Sequence, residues 1–518
     1  MSEKVEGQKQ ESFVIRALYT LEKYGNKLPQ PFYLFLYLAI GMLVVSFFVQ
    51  GTSVELYRAI GGEMQLVTVS VRNLLSMDYL RWVSANIVSI YVAFPPLGIV
   101  MVMMLAIGFA QYTGFFDAMM RNALAKAPPF AITFALCFVA VFSSLASNAG
   151  IIFSATVGAA LFAALGRNPI LGAAAGYAVS HAGFSATLVP NALDALLAGI
   201  TQSVTDAMGF YDPVQTSPIN NFFFMFVSVF TIAIVGTIIT EKISAKVVRQ
   251  GVVSESAGAE VTAAEKRGLR WALVMFILFV VIMLVLTVPA NAFFRAPDGS
   301  LVPNSPLIDG IVAVLFFFFI FLGVGYGLGS GTIKKSSDAT NYMGKGISDS
   351  ISFFVMVFPA AMFVRFFNDS NIASILSTRG AEWLIATGFS GFPLALTFIL
   401  FTFALNCFLT SATAKWLILA PIFVPMFYQI GWLPAFTQLV YRIGDTFGSP
   451  VAIVNIFIPI VLGVMNKYKK PGEEDLGIGN LLAYMIPYVI AFFFVFVTKL
   501  AIWMIFDLPL GPGVAQMF

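Results

Sequence analysis

Histidine is almost missing from this 518-residue sequence, which has His181 alone, and cysteine occurs only as Cys137 and Cys407. Both cysteines lie in apolar runs, so a disulfide framework is excluded, and so few soft ligands leave no basis for a structural zinc or haem site. Charge is scarce too. Asp, Glu, Lys and Arg together make up 11% of the chain, where a soluble domain carries about a quarter. With 59% hydrophobic residues and a mean hydropathy of +0.88, most of the chain sits in lipid. Nucleic-acid binding, secretion as a soluble enzyme and disorder are excluded as main readings. No Walker loop, kinase signature or HExxH is present, which argues against ATP-driven transport within this chain. The segment 1–30 is polar and mixed in charge, unlike a signal peptide.

What is present is long apolar helix. A spanning helix needs about 20 apolar residues, and clean candidates are 31–50, 97–112, 221–240, 271–289, 307–328, 347–367 and 483–506. Lys and Arg set the orientation. Lys4, Lys9, Arg16, Lys23 and Lys27 place the N-terminus in the cytoplasm, as do the basic loops 241–270, 331–345 and 465–470 for their ends. The 190–218 stretch has no Lys or Arg. Segment 51–83, with Arg58, Arg72 and Arg81 on the outer side, is expected to be an amphipathic interfacial helix.

These signs agree only if 129–165 and 391–430 each enter and leave on one side. Their first arms would be about 21–24 Å long, short of a 30 Å hydrocarbon core. They are therefore expected to be re-entrant hairpins. The fold class expected is an all-α polytopic membrane protein with about nine transmembrane helices plus two re-entrant helical hairpins. The two halves echo each other at an offset of 264, where Tyr177, His181 and Ser185 meet Tyr441, Asp445 and Ser449. Inverted repeats with broken helices are the architecture of secondary transporters. The expected organisation is a cytoplasmic segment 1–30, a first span and outer segment 31–83, and repeat 1 over 84–218 with its hairpin and a broken helix 170–204. Intervening spans and a linker fill 219–345. Repeat 2 occupies 346–480 with a broken helix 434–464, and the last span lies in 481–518.

The segment Asn406-Cys-Phe-Leu-Thr410-Ser411-Ala-Thr413-Ala-Lys415-Trp416 sets an amide and three hydroxyls at a hairpin tip. Oxygen ligands there suit a hard cation such as sodium, and half-helix N-termini favour a substrate carboxylate; simple capping is the plainer reading. Tyr441-Arg442-Ile-Gly444-Asp445 carries charge inside a Gly-interrupted apolar region. A charge at the bilayer centre costs roughly 2.5–3.5 kcal/mol, so Asp445 is a cation ligand or proton carrier unless Arg442 merely neutralises it. Sodium between Asp445 and Asn406 would offset the carboxylate. Asp194 is either an N-cap-type carboxylate or a cavity group, and His181 either a polar cavity residue or a satisfied buried one. Lys415 and Arg365 lie near span ends, where both can snorkel.

Several stretches resemble the p-aminobenzoyl-glutamate transporter (AbgT) family. They are Glu22-Lys-Tyr-Gly25-Asn26-Lys-Leu28-Pro29, Leu197-Ala-Gly-Ile-Thr201-Gln202, Ala420-Pro421-Ile-Phe-Val-Pro425-Met426, Tyr441 to Asp445 and Leu508 to Gly513. The resemblance implies a bowl-shaped homodimer in the bacterial inner membrane. It implies sodium-coupled import of p-aminobenzoyl-glutamate or proton-driven export of sulfonamide antimetabolites, with no other cofactor. It places sodium at Asn406 and Asp445; Ser147 and Asn148 at the first hairpin tip are further ion-binding candidates. It places Asp194, Ser411, Thr413, Trp416, Pro434 and Arg442 on the substrate path. Departures cluster in the first half. Ser144 and Asn148 stand where Asn and Glu are common, Thr187 where Asn is common, and His181 replaces a smaller residue. The rival readings are a carrier of another carboxylate, a channel, or an intramembrane enzyme. The last lacks a nucleophile with an activator.

Overall fold

The computed structural model describes residues 30–518 apart from 61–62, 126–130, 209–215, 253–260, 303–304, 407, 453–454 and 456. Segment 1–30 (Gln30 excepted) and most of the 252–265 linker lie outside the described residues. The chain is mostly helical. In order come α1 (Pro31–Phe48), strands β1 (Ser53–Ile60) and β2 (Glu63–Ser70), α2 (Met77–Val92), α3 (Pro95–Tyr112), α4 (Phe115–Ala125), α5 (Ile132–Phe142), α6 (Ser147–Ala164), α7 (Pro169–Ala182) and α8 (Ala192–Met208). Then come α9 (Phe222–Ile239), α10 (Ala263–Thr287), α11 (Ile311–Ser330), α12 (Ser336–Ser348), α13 (Ile351–Asp369), α14 (Ile372–Thr387), α15 (Gly391–Asn406), α16 (Ala412–Tyr428), α17 (Pro434–Gly448), α18 (Ile458–Asn466) and α19 (Ile478–Ile505).

Among the described residues, seven helical stretches are long and apolar enough to cross a membrane: α1, α2 with α3, α9 continued to Val247, α10, α11, α13 and α19. Helix α10 is the plainest lipid-facing element, with only 6% of its apolar window buried. Leaving that much apolar surface in water would be unfavourable, so lipid or another chain covers it. Four shorter apolar helices form two consecutive pairs, α5 with α6 and α15 with α16. The eleven residues of α5 rise only about 16 Å at 1.5 Å per residue.

Each pair is followed by an interrupted helix. Helix α7 ends in a 3-10 turn, Gly183–Ser185, before α8 begins; α17 ends in another, Ser449–Val451, before α18. Broken backbone is tolerated at membrane depth only inside protein. Accordingly α7 and α17 are buried along their whole length, and the freed Thr187 amide donates to the Met225 carbonyl at 3.3 Å. Small residues permit this density. A Cβ on Gly158 would fall 2.3 Å from the Gly172 carbonyl oxygen, so α6 and α7 touch backbone to backbone.

One expectation is overturned. Segment 51–83 does not form an amphipathic helix throughout. Its first part is an antiparallel hairpin pairing Ser53 with Ser70 and Ile60 with Glu63, and only from Met77 is it helical. The reason is legible afterwards. Val54 and Leu56, then Val67 and Val69, alternate with polar residues at period two around Gly61-Gly62, which is a strand and turn pattern. The paired Val54 and Val69 are buried. The Asn371 side chain donates to the Ser70 carbonyl at 2.9 Å, docking the hairpin on the α13–α14 junction.

The charge asymmetry of the sequence predicts that the two termini lie on opposite faces. In a variant with Cys137 and Cys407 replaced by alanine, single cysteines at Ser2 and at Phe518, which is 73% exposed, should react with an impermeant maleimide from opposite sides. Reaction of both from one side rejects nine spans.

Candidate functional site

Helix α17 carries the centre of the molecule, and the two halves meet on it. Asp194 lies in the first turn of α8. The Asn191 side chain caps this helix, accepting from the Leu193 and Asp194 amides at 2.9 and 3.1 Å. The Asp194 carboxylate returns the contact by accepting from the Asn191 amide at 2.7 Å, a capping-box arrangement. Its other oxygen accepts from Arg442 Nη1 at 2.6 Å. Asp194 is thus the capping carboxylate of the first reading and also the ion-pair partner of Arg442. Both side chains are almost wholly buried, 1% and 3% exposed. Arg442 also donates through Nη2 to the Phe184 carbonyl at the break after α7, while its Nε is buried with no partner. It is not paired with Asp445, three residues on.

The charge beside Asp445 comes from Lys415. Its Nζ makes an ion pair with Asp445 Oδ1 and donates to Asn406 Oδ1. Lys415 does not snorkel, contrary to expectation: it is 1% exposed, because the first turn of α16 points inward at α17. Arg365 is half-exposed and paired with Asp369 at 2.8 Å. The Asn406 amide nitrogen donates to the Asp445 backbone carbonyl at 2.8 Å, which turns its oxygen toward Lys415. Amide and carboxylate oxygens suit a hard cation by chemistry. They do not fit sodium as arranged, because one ammonium already holds both.

Ser411 caps α16, accepting from the Ala414 amide at 3.2 Å, which is the plainer of its two readings; Thr413 lies partly buried in the same turn. Trp416 stacks on Tyr441 with ring centroids 4.5 Å apart and donates from Nε1 to Thr201 Oγ1 at 2.9 Å. Thr201 donates in turn to Gln438 Oε1 at 2.6 Å. Pro434 is buried at the start of α17. His181 stands away from both carboxylate pairs. Its Nδ1 meets the Tyr177 carbonyl at 2.9 Å and its Nε2 the Asn455 amide nitrogen at 3.1 Å. A single neutral tautomer satisfies both contacts, so this is a satisfied buried histidine. Thr187 Oγ1 donates to the Val189 carbonyl, and Ser144 Oγ is buried without a partner. The side chains of Ser147 and Asn148 lie outside the described residues.

Sequence reasoning missed Lys415 as a partner, and Thr201, Gln438 and Tyr441 as the frame around Trp416. A buried carboxylate demands a base, and Lys415 was the lysine inside the same tip segment. Thr201 and Gln438 gave no comparable signal.

Residues 16–518 match the profile described as "AbgT putative transporter family". The chain belongs to the AbgT family. It is 34% identical over 496 residues to the p-aminobenzoyl-glutamate transport protein of Escherichia coli (strain K12), covering 95% of this chain and 96% of that one. Among solved structures, it is similar to MtrF of Neisseria gonorrhoeae, described within a class of antimetabolite efflux pumps. There the TM-score is 0.88 at 33% identity, over 96% of this chain and all of that one. It is also similar to the YdaH transporter of Alcanivorax borkumensis, with a TM-score of 0.85 at 30% identity over 93% of this chain and all of that one. This AbgT-family chain is thus a multi-pass membrane protein of a transporter family. A cleft of about 630 Å³ is lined among others by Arg72, Phe94, Ser203, Asp206, Arg365 and Pro421, and neither the buried ion pairs nor Trp416 lies on its wall.

Removing one partner of a buried ion pair costs about 3–5 kcal/mol, because the other charge stays buried. Asp194→Asn keeps the capping oxygen and loses the charge. Thermal unfolding in detergent should show a loss on that order, and adding Arg442→Gln should restore at least half of it. A double variant no better than the single would mean that the pair is not what holds α8 to α17.

Proposed function

We propose that this protein is a secondary active transporter that moves p-aminobenzoyl-glutamate or a related aromatic anion, such as a sulfonamide antimetabolite, across a bacterial inner membrane. The observation that carries the reading is the Asp194–Arg442 pair, which joins the interrupted helices of the two halves beside the Trp416–Tyr441 stack. Carriers of this architecture work by rocking one repeat against the other around a central site. An ion pair between broken helices lies where such motion is resisted or released. Arg442 Nε, the donor without a partner, is a contact for a carboxylate or sulfonamide anion. Trp416, fully buried against Tyr441, is the ring that would stack on an aminobenzoyl group once the site opens. Asp194, Ser411, Thr413 and Pro434 border this path.

In this reading the chain has nine spans and two re-entrant hairpins, a cytoplasmic N-terminus, and a homodimeric assembly that covers part of its exposed apolar surface. Transport is coupled to sodium or to protons, and the carboxylates Asp194 and Asp445 are the proton-carrying candidates. What supports the relation to p-aminobenzoyl-glutamate is the Escherichia coli relative, and what supports efflux is the Neisseria gonorrhoeae structure. The second reading is an ion-coupled carrier of a dicarboxylate or short-chain fatty acid; the aromatic stack favours the first.

Reconstitution into liposomes with imposed sodium or proton gradients tests the proposal. Flux of labelled p-aminobenzoyl-glutamate should saturate, follow one of the two gradients and show counterflow. Trp416→Ala should raise the half-saturation concentration roughly two- to tenfold, the size of an aromatic stacking contact, with Trp416→Phe closer to wild type. Flux that dicarboxylates compete for and aromatic anions do not would favour the second reading.

A further inference from the structure

The counter-charge for Asp445 is part of the chain itself. Lys415 sits one residue before Trp416 in the first turn of α16, with its ammonium on Asp445 Oδ1 and Asn406 Oδ1. One oxygen comes from the end of a hairpin arm and the other from a broken helix, which is the donor set a hard cation would use. The geometry is held from behind. Asn406 spends its amide nitrogen on the Asp445 and Gly444 carbonyls, at 2.8 and 3.4 Å, so its oxygen faces the ammonium. It lies so close to α17 that a Cβ on Gly448 would stand 2.5 Å from Asn406 Nδ2.

We infer that Lys415 is the resident cation of this site, a tethered ammonium in the position a free sodium ion would take, and that sodium binds here only after Lys415 is withdrawn. Ammonium and sodium carry the same single charge, so either one offsets Asp445. Both together would set two cations against one carboxylate in a site closed to water, where like charges repel strongly. The tether also has a mechanical consequence. While Lys415 holds Asp445 and Asn406, the hairpin tip is fastened to α17; a free ion in its place would leave α16 unfastened. This deepens the transport reading above and, for that consequence alone, rests on it.

The test measures stability rather than flux, on full-length protein in detergent without substrate. Thermal midpoints are compared in sodium chloride and choline chloride at equal ionic strength. Wild type should give the same midpoint in both. Lys415→Met should have a lower midpoint in choline that sodium restores saturably, by roughly 2–5 °C. Lys415→Met with Asp445→Asn, lacking both charges, should again be indifferent to sodium. A saturable sodium-dependent rise in wild type as large as that of Lys415→Met overturns the inference, and so does a folded Lys415→Met that ignores sodium. Should Lys415→Met fail to fold, Lys415→Gln takes its place with the same expected rise in sodium, and a folded Lys415→Gln that ignores sodium overturns the inference. Failure of the transport reading would appear separately, as absent aromatic-anion flux in liposomes with this stability pattern unchanged.

Discussion

Asp194 and Asp445 are carboxylates held out of water on helices that break inside a lipid-embedded protein, and each is accompanied by one base. Arg442 answers Asp194 and Lys415 answers Asp445. An unpaired charge in such a place is expensive enough to prevent folding or to draw in water. The surrounding architecture follows from that constraint. The breaks after α7 and α17 must be enclosed by protein, the first turn of α16 must reach the second carboxylate, and the helices carrying these groups must pack closely. The glycine contacts between α6 and α7 serve that packing, and on α17 Gly448 leaves the room that Asn406 fills.

The two pairs are not equivalent, because the bases differ. Arg442 is a planar fork that reaches two elements, the start of α8 through Asp194 and the end of α7 through the Phe184 carbonyl. It acts as a fixed strut between halves, with Nε left over. Lys415 is a compact charge on a flexible stem, better suited to being exchanged for another monovalent cation. Both acidic partners sit on or against α17, so a change at either pair is felt along one buried helix. His181 adds a neutral link of the same kind, joining α7 to the stretch after α17 through Asn455. Both its ring nitrogens meet neutral partners among packed aromatic rings, which separates it from the charged pair at the matching position of the second half.

The periphery obeys a different rule. Helix α10 and much of α1 show apolar side chains outward and bury little, as lipid-facing elements do. Among the described residues the β1–β2 hairpin is the sheet in a mostly helical chain, and its strands pair with each other in register. Its backbone thereby finds partners without a helix, and Asn371 and Ser370 fix it to the end of α13.

The sequence by itself determined the class of the protein. Low charge and long apolar runs force a helical membrane protein, since only helices satisfy every backbone group in lipid without partners. It also marked where regular helix fails, because Gly183 to Pro190 and Gly448 to Pro450 are written in residues that interrupt helices, although Gly444 stays within α17. The motifs from Ala420 to Met426 and Tyr441 to Asp445 carried the family. Period-two alternation around Gly61-Gly62 marked the strands, and the weight given to helix in a membrane chain hid it. What only the tertiary structure decided was pairing. Arg442 and Asp445 are neighbours along one helix, and local spacing invites joining them. Yet Arg442 turns to Asp194, 248 residues away, and Asp445 to Lys415. Spacing along a chain fixes which side chains share a helix face; which buried charge meets which base depends on how separate helices pack, and no local pattern encodes that.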